Sequence, residues 1–435
     1  MLFRPRFPSQ NLAAIHRRHA CRRRKPKLSF PRLLRALVYH VFVGHGALET
    51  HVDELTGILL SASALSQRRQ RLPWQVFRDI LAECLACRAH PREHPEAFYK
   101  GLRLLGLDGT GFGVNNVPRL VRSLGKAASR RFKAAFARVR TVVIVELGLH
   151  NPIAAAIGRH GESELALAWE LVGQVPPRSL LLADRLYGTA QFVCSLLARC
   201  LEVRGQFLVR VRRQMNARVR EVFADGSALV ELATRDEHGQ KFAFLVREIR
   251  GRVHGRGSQN TSVRLWTSLL DAKKYPAAEL LALYAQRWEV EITVKELKIE
   301  LRGSDQLVSR TPETAAQEIA ALLLAQALLV DARCTASRSG DVAVLRIGFR
   351  ETLRLVRSLW TLLVIGEGIH SAQQVHALIR RTLQRIRAAV TPARRHRSCP
   401  RAVRQPVSSW PRLLRRRDIG GQFRYEIIAH RRSKP

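Results

Sequence analysis

Apolar and polar positions alternate differently in successive parts of the chain. From about residue 31 to 100 they recur at helical spacing, as in PRLLRALVYHVF and SASALSQRRQRLPWQVFRDILAECLA. Near Leu102 the texture changes. LRLLGLD predicts a strand ending at Asp108, with Gly109 and Thr110 as turn residues, followed by strands VRTVVIVEL and NPIAAAIG. Ser163 is placed to cap a helix, ELALAWELVGQV. SLLLAD then predicts a buried strand ending at Asp184, TAQFVCSLLARCLE a helix and QFLVRVRR a strand. A meander followed by alternating helices and strands implies a mixed α/β sheet covered on both faces.

Between 212 and 262, alternation around turn signals such as Asp225-Gly226 predicts an antiparallel, β-rich insertion. The core resumes with VRLWTSLL and one long helix from about Pro276 to Leu301. Further helices follow at 312 to 332 and through IGFRETLRLVRSLWTLL. The organisation expected is a basic arm at 1–30, a helical N-terminal domain at 31–100, core at 101–211, insertion at 212–262, core at 263–335, and a helical basic C-terminal region at 336–435. The apolar stretch Ile319 to Val330 is too short for a bilayer and reads as a buried helix. With no apolar run in the first thirty residues, no secretory signal is expected.

Charge narrows the partner. Lys plus Arg number 74 against 35 Asp plus Glu, a formal net charge of +39 over 435 residues. Such self-repulsion calls for a polyanion, nucleic acid before anionic membrane. No acid precedes Glu49, Arg22 to Lys25 is an unbroken basic run, and Gly368 to Arg417 holds thirteen Arg and no acid. These blocks read as arms that track phosphates. Ser66, Gln67, Arg68 and Arg69 suit either the DNA face of a helix-turn-helix-like unit or the outer face of a small helical bundle. The seven scattered cysteines argue for a reducing compartment rather than a disulfide framework. Cys84, Cys87, His90 and His94 have zinc-like letters, but their spacing is tighter than common zinc modules and better fits a helix end.

The chemistry concentrates in YAQRWEVEITVKELK. On an ideal helix Tyr284, Arg287, Glu291 and Lys298 fall within roughly 60° of one another. Lys295 joins that face, while Glu289 and Glu296 point the opposite way. A carboxylate among cations suits a site holding a metal and a phosphate backbone together. Asp108 and Asp184, each read at the end of an apolar strand, supply two more carboxylates. Three such groups converging would bind two Mg²⁺ ions, the arrangement that drives in-line phosphoryl displacement.

These residues resemble the DDE transposases of bacterial insertion sequences, specifically the insertion-element-4 family. LDGT around Asp108, ADRLYG around Asp184 and YAQRWEVEITVKELK around Glu291 carry the likeness, over roughly residues 30 to 360. It implies an RNase H-like core with a β-rich insertion between the second Asp and the Glu. It implies Asp108, Asp184 and Glu291 as catalytic, metal-binding triad for two Mg²⁺, with Mn²⁺ as a substitute. Tyr284, Arg287 and Lys298 are expected on phosphates of double-stranded transposon ends, with cleavage at terminal inverted repeats followed by strand transfer into target DNA. Arg185 after Asp184 agrees with the family, and Tyr187 keeps an aromatic where Phe is common.

A homodimer pairing two ends, a bacterial cytoplasmic, nucleoid-associated location and no membrane partner are expected. Some relatives cut the second strand through a hairpin, with a base flipped onto a Trp. Val263 stands where that Trp would be expected, and Trp266 reads as a core aromatic. Trp288 reads as helix packing. Two other readings remain: an RNase H-like nuclease without strand transfer, and an inactive DNA-binding relic.

Overall fold

The computed structural model describes residues 9–19, 26–126, 134–235, 239–254, 261–338, 342–392 and 424–428. The basic run at 22–25 and nine of the thirteen Arg between 368 and 417 lie outside them.

Five helices come first: α1 (Ser9–His19), α2 (Phe30–Val43), α3 (Leu48–Thr56), α4 (Ala62–Gln70) and α5 (Trp74–Cys84). Then come β1 (Phe98–Tyr99), β2 (Leu102–Gly113), α6 (Pro118–Leu124), β3 (Arg138–Glu146), β4 (Asn151–Ile157), α7 (Glu164–Val172), β5 (Ser179–Ala183), α8 (Ala190–Val203) and β6 (Gln206–Arg210). The insertion is β7 (Arg218–Val222), β8 (Ala228–Arg235) and β9 (Lys241–His254). After β10 (Thr261–Thr267) come α9 (Ala277–Leu283), α10 (Trp288–Lys295), α11 (Pro312–Ser337), α12 (Phe349–Ile365), α13 (Ala372–Ala388) and β11 (Arg424–Ile427). The expected class, mixed α/β with helical flanks and a β-rich insertion, is what the chain adopts. The opening meander and the strand–helix–strand that an RNase H-like core requires are both present.

The chain forms two compact units. The first comprises 1–174 and 288–391, the second 175–287 and 392–435. In the first, β1 to β4 form an antiparallel meander. Helix α7 packs on β3 and β4, and its N-terminus is capped by the Ser163 hydroxyl, which accepts from the Ala166 N–H at 3.0 Å. The centre of this unit is α11. It contacts α2, α5, α12, α13 and β4, and is buried along almost its whole length. Among the described residues it alone is long and apolar enough to cross a membrane, and it is 89% buried over its most apolar window, as expected for a core helix.

In the second unit, β5, α8 and β6 form a parallel β–α–β turn with Leu182 opposite Leu208. Strands β10, β9, β8 and β7 extend it antiparallel, and β11 pairs with β9. Buried Arg247 ties this layer together, donating to Ser227 Oγ at 2.8 Å, to the carbonyls of Tyr275 and Leu269, and to Asp225.

Three expectations need correction. Strand β2 does not end at Asp108 but runs on to Gly113, because the residues read as a turn pair with β3, Gly109 with Val142 and Thr110 with Thr141, and the pairing continues with Gly111 opposite Arg140. The long helix expected at 276–301 is four consecutive pieces. A 3₁₀ turn at Tyr284–Arg287 and a π-turn at Glu296–Leu301 interrupt it, so the single 100° stripe does not hold. Finally, Arg68 and Arg69 do not face outward. Arg69 Nε donates to Gln317 Oε1 of α11 at 3.0 Å and Gln317 returns a bond to the Arg69 carbonyl at 2.7 Å. The Arg68 Nε and one terminal nitrogen are buried as well. Both the DNA-face and the outer-face readings put these arginines outside, and neither placement is what the chain adopts.

Candidate active site

Asp108 sits in the middle of β2, opposite Val143, and its Oδ1 accepts the N–H of Gly109 at 2.9 Å. The strand is rich in glycine around it, and two of these glycines allow close approach. A Cβ on Gly106 would lie 2.2 Å from Val290 Cγ2, so only glycine lets α10 lie this close to β2. A Cβ on Gly109 would meet the Glu164 carboxyl carbon, also at 2.2 Å.

Glu291 stands on α10, one residue after that contact, and is half-buried. Seven residues further, Lys298 Nζ donates to the Gly111 carbonyl at 2.7 Å and lies 4.9 Å from the Phe112 ring centre. Burial pushes the Lys298 ammonium below the usual lysine pKa, with Asp305 partly opposing. Strand β2 thus meets α10 at Gly106–Val290 and the following π-turn at Gly111–Lys298, and Asp108 lies between the two contacts. Beside it, a cavity of about 380 Å³ opens on Gly109, Gly111, Phe136, Arg138, Arg140 and Glu164.

In the second unit Asp184 directly follows β5, as expected. Its Oδ1 accepts the Arg185 N–H at 2.7 Å, and its carbonyl accepts from buried Tyr187 at 3.0 Å. Tyr284 is buried, and its hydroxyl donates to the carbonyl of Ala183 at 3.2 Å, so it anchors the strand end that presents Asp184. Arg287 is half-buried, Lys295 is exposed, and Trp288 is 51% exposed rather than packed. Trp266 is fully buried, its Nε1 donating to Glu248 at 2.8 Å, which agrees with a core aromatic; Val263 is buried beside it on β10.

Among the described residues no three His, Cys, Asp or Glu side chains form a ready-made metal centre. That includes the cysteine–histidine run after α5. There the His94 Nδ1 accepts the His90 N–H at 3.0 Å and burial first, then Glu146, pushes the Cys87 thiol up to about 11. For Asp108, Asp184 and Glu291 the donor chemistry does fit the expected ion: all are carboxylates, the ligand type that Mg²⁺ selects.

Two residues of this site escaped sequence reasoning. The sequence marks Glu164 only as the first residue of a capped helix. His150, in the turn after β3, contacts Glu289 and Glu296, and nothing in its local sequence signals that.

The transposase DDE domain family matches residues 101–328, just over half of the chain. The chain belongs to that family: it is a DDE transposase. It is 26% identical over 358 residues to the transposase InsG for insertion sequence element IS4 of Escherichia coli K12, spanning 81% of this chain and 78% of that one, which supports the insertion-element-4 branch. A putative transposase of the same organism, InsZ, is 27% identical over 139 residues, covering 32% of this chain and 46% of the relative. Among solved structures, a piggyBac transposase synaptic complex with hairpin DNA aligns over 91% of this chain and 86% of its own, with a TM-score of 0.45 at 12% identity.

Proposed function

We propose that this transposase cleaves DNA at the terminal inverted repeats of its own element and joins the freed 3′ ends to target DNA. The observation that carries the reading is the placement of Asp108 between the two contacts that tie β2 to the helix of Glu291 and to the π-turn after it. Asp108, Glu291 and Asp184 are the residues that would hold two divalent cations. When bound, such ions supply activation of a water or 3′-hydroxyl and stabilisation of the leaving oxygen. The remaining work falls to the chain itself. Tyr284 steadies the strand end before Asp184 through the Ala183 carbonyl. Lys298, held against Gly111, is a point charge beside β2 for a phosphate near the scissile bond. Arg138 and Arg140 line the neighbouring cavity with positive charge. Double-stranded DNA is the partner that the net charge of +39 suits. Two copies would pair the two ends, in the cytoplasm of a bacterial cell.

The test is incubation of the purified protein with Mg²⁺ and labelled DNA carrying its element's ends. Cleavage followed by 3′-end joining to a second duplex is expected. Glu291→Gln should abolish cleavage and leave end binding intact. Cleavage without joining would favour a nuclease of the same fold, and binding without cleavage by the wild type a catalytically inert relic.

A further inference from the structure

His150 occupies an unusual place. It closes the four-residue turn Leu147–His150 between β3 and β4, with φ +57°. The left-handed region is uncommon for a residue with a side chain, although His is among those enriched there. The turn cannot relax easily. A Cβ on Gly148 would meet Ala97 at 2.7 Å. At its base buried Glu146 accepts the Ala89 N–H at 3.0 Å and the Asn151 amide at 2.7 Å, and pairs with Arg103.

The imidazole itself is fully buried, and both nitrogens meet carboxylates. Nδ1 lies 2.8 Å from Glu296 Oε2 and Nε2 lies 2.7 Å from Glu289 Oε2. A carboxylate can only accept, so two short contacts of this kind need a proton on each ring nitrogen. Burial alone would lower the ring's pKa, but the charge and hydrogen bonds of Glu296 and Glu289 outweigh it and raise it above the ordinary value. Glu289 and Glu296 flank Glu291 in sequence; Glu289 points to the other side of α10 from it, since two residues turn an α-helix by about 200°, and Glu296 meets the same ring from the π-turn. Glu296 also opens the π-turn that carries Lys298. Gln326 of α11 closes the assembly, its amide reaching the carbonyls of His150 at 3.4 Å and Thr293 at 3.5 Å.

We infer that His150 is a positioning residue for catalysis: its ring ties Glu289 to Glu296 from behind and so fixes the rotation of α10 and the π-turn that present Glu291 and Lys298. The inference rests on the proposed role of Glu291 in DNA cleavage.

The test uses the full chain. In His150→Gln, cleavage of element ends should fall on the order of a hundredfold, because displacement of a catalytic group by about 1 Å has that effect. End-binding affinity should stay within about threefold, well under the 1.4 kcal/mol that a tenfold change represents. Amide hydrogen exchange should speed up across 288–301 and stay unchanged in β3 and β4. Should this variant fail to fold, the neutral triple variant His150→Phe, Glu289→Gln, Glu296→Gln removes the buried charges together. It should fold and bind ends yet remain slow in cleavage, with faster exchange at 288–301. Wild-type cleavage or unchanged exchange in a folded variant of either kind would overturn the inference. A wild type that binds ends but does not cleave them would instead defeat the proposed activity, and the exchange measurement would still decide the role of His150.

Discussion

Lys298 donates its ammonium to the carbonyl of Gly111, 2.7 Å away and three residues beyond Asp108 on the same strand. The lysine is half-buried over Phe112. Its charge is therefore held in one place rather than left to sweep solvent. Replacing it by Met keeps the apolar stem and removes the charge. Lys298→Met should reduce cleavage about 10- to 100-fold, the scale of a lost preorganised electrostatic contact, with little change in the melting temperature. Single-turnover cleavage and thermal melting would read both. A variant that cleaves at the wild-type rate would remove Lys298 from the site.

Gly106 sets how closely α10 approaches β2. Gly106→Ala would press a methyl group 2.2 Å from Val290 Cγ2 and 2.7 Å from Leu147 Cδ2. Overpacking of this kind destabilises by about 1–3 kcal/mol. It should also shift Glu291, so activity should fall more than stability alone explains. Adding Val290→Ala should recover part of both losses, because neighbouring sites are not additive. Denaturant unfolding of the two single variants and the double variant measures the coupling, and strict additivity would refute the contact.

His40 gives the stability a pH dependence. Its Nδ1 lies 2.8 Å from His51 Nδ1. Burial first, then the charges of His51, Arg69 and Arg302, lower its pKa from 6.5 to about 4, with Glu49 opposing. The folded state thus binds fewer protons than the unfolded chain between those values. Stability from this group is intact above pH 6.5 and declines as the pH falls towards 4. Melting temperatures at pH 7, 5.5 and 4.5 should fall more steeply for the wild type than for His40→Asn; parallel curves would contradict the assignment.

DNA binding should depend steeply on salt. A chain with 74 cationic and 35 anionic side chains neutralises many phosphates and releases their counterions. Affinity for element ends should drop on the order of a thousandfold between 50 and 200 mM salt if roughly six or more phosphates are contacted. A nearly flat plot of log affinity against log salt would count against a phosphate-dominated interface.

Much of this architecture was legible because short-range rules decided it. Asp184 follows an apolar strand and Ser163 caps a helix, as the residues themselves prescribe. What escaped the sequence depended on partners far along the chain. Gly109 and Thr110 look like turn residues, yet β3 recruits both into a strand and Glu164 uses the bare backbone of Gly109. Arg69 looks like a phosphate contact until Gln317, 248 residues later, claims it. The π-turn at Glu296 has no local signature either; its Glu296 carboxylate meets the His150 ring, 146 residues upstream. The charged stripe therefore does not keep the pitch that an unbroken α-helix would give it.

Helix α11 has a consequence for how the molecule is made. Helices α2 and α5, near the beginning of the chain, pack on it, yet it is completed only at Ser337. During synthesis the early helices can pack on one another, but the parts of α2 and α5 that meet α11 must wait for more than two hundred residues before they find cover. Ordering contacts so distant in sequence slows assembly and leaves sticky surface uncovered meanwhile. Nascent chains interrupted before α11 should be handled by chaperones or degraded, and the N-terminal helices expressed alone should aggregate rather than behave as a separable module.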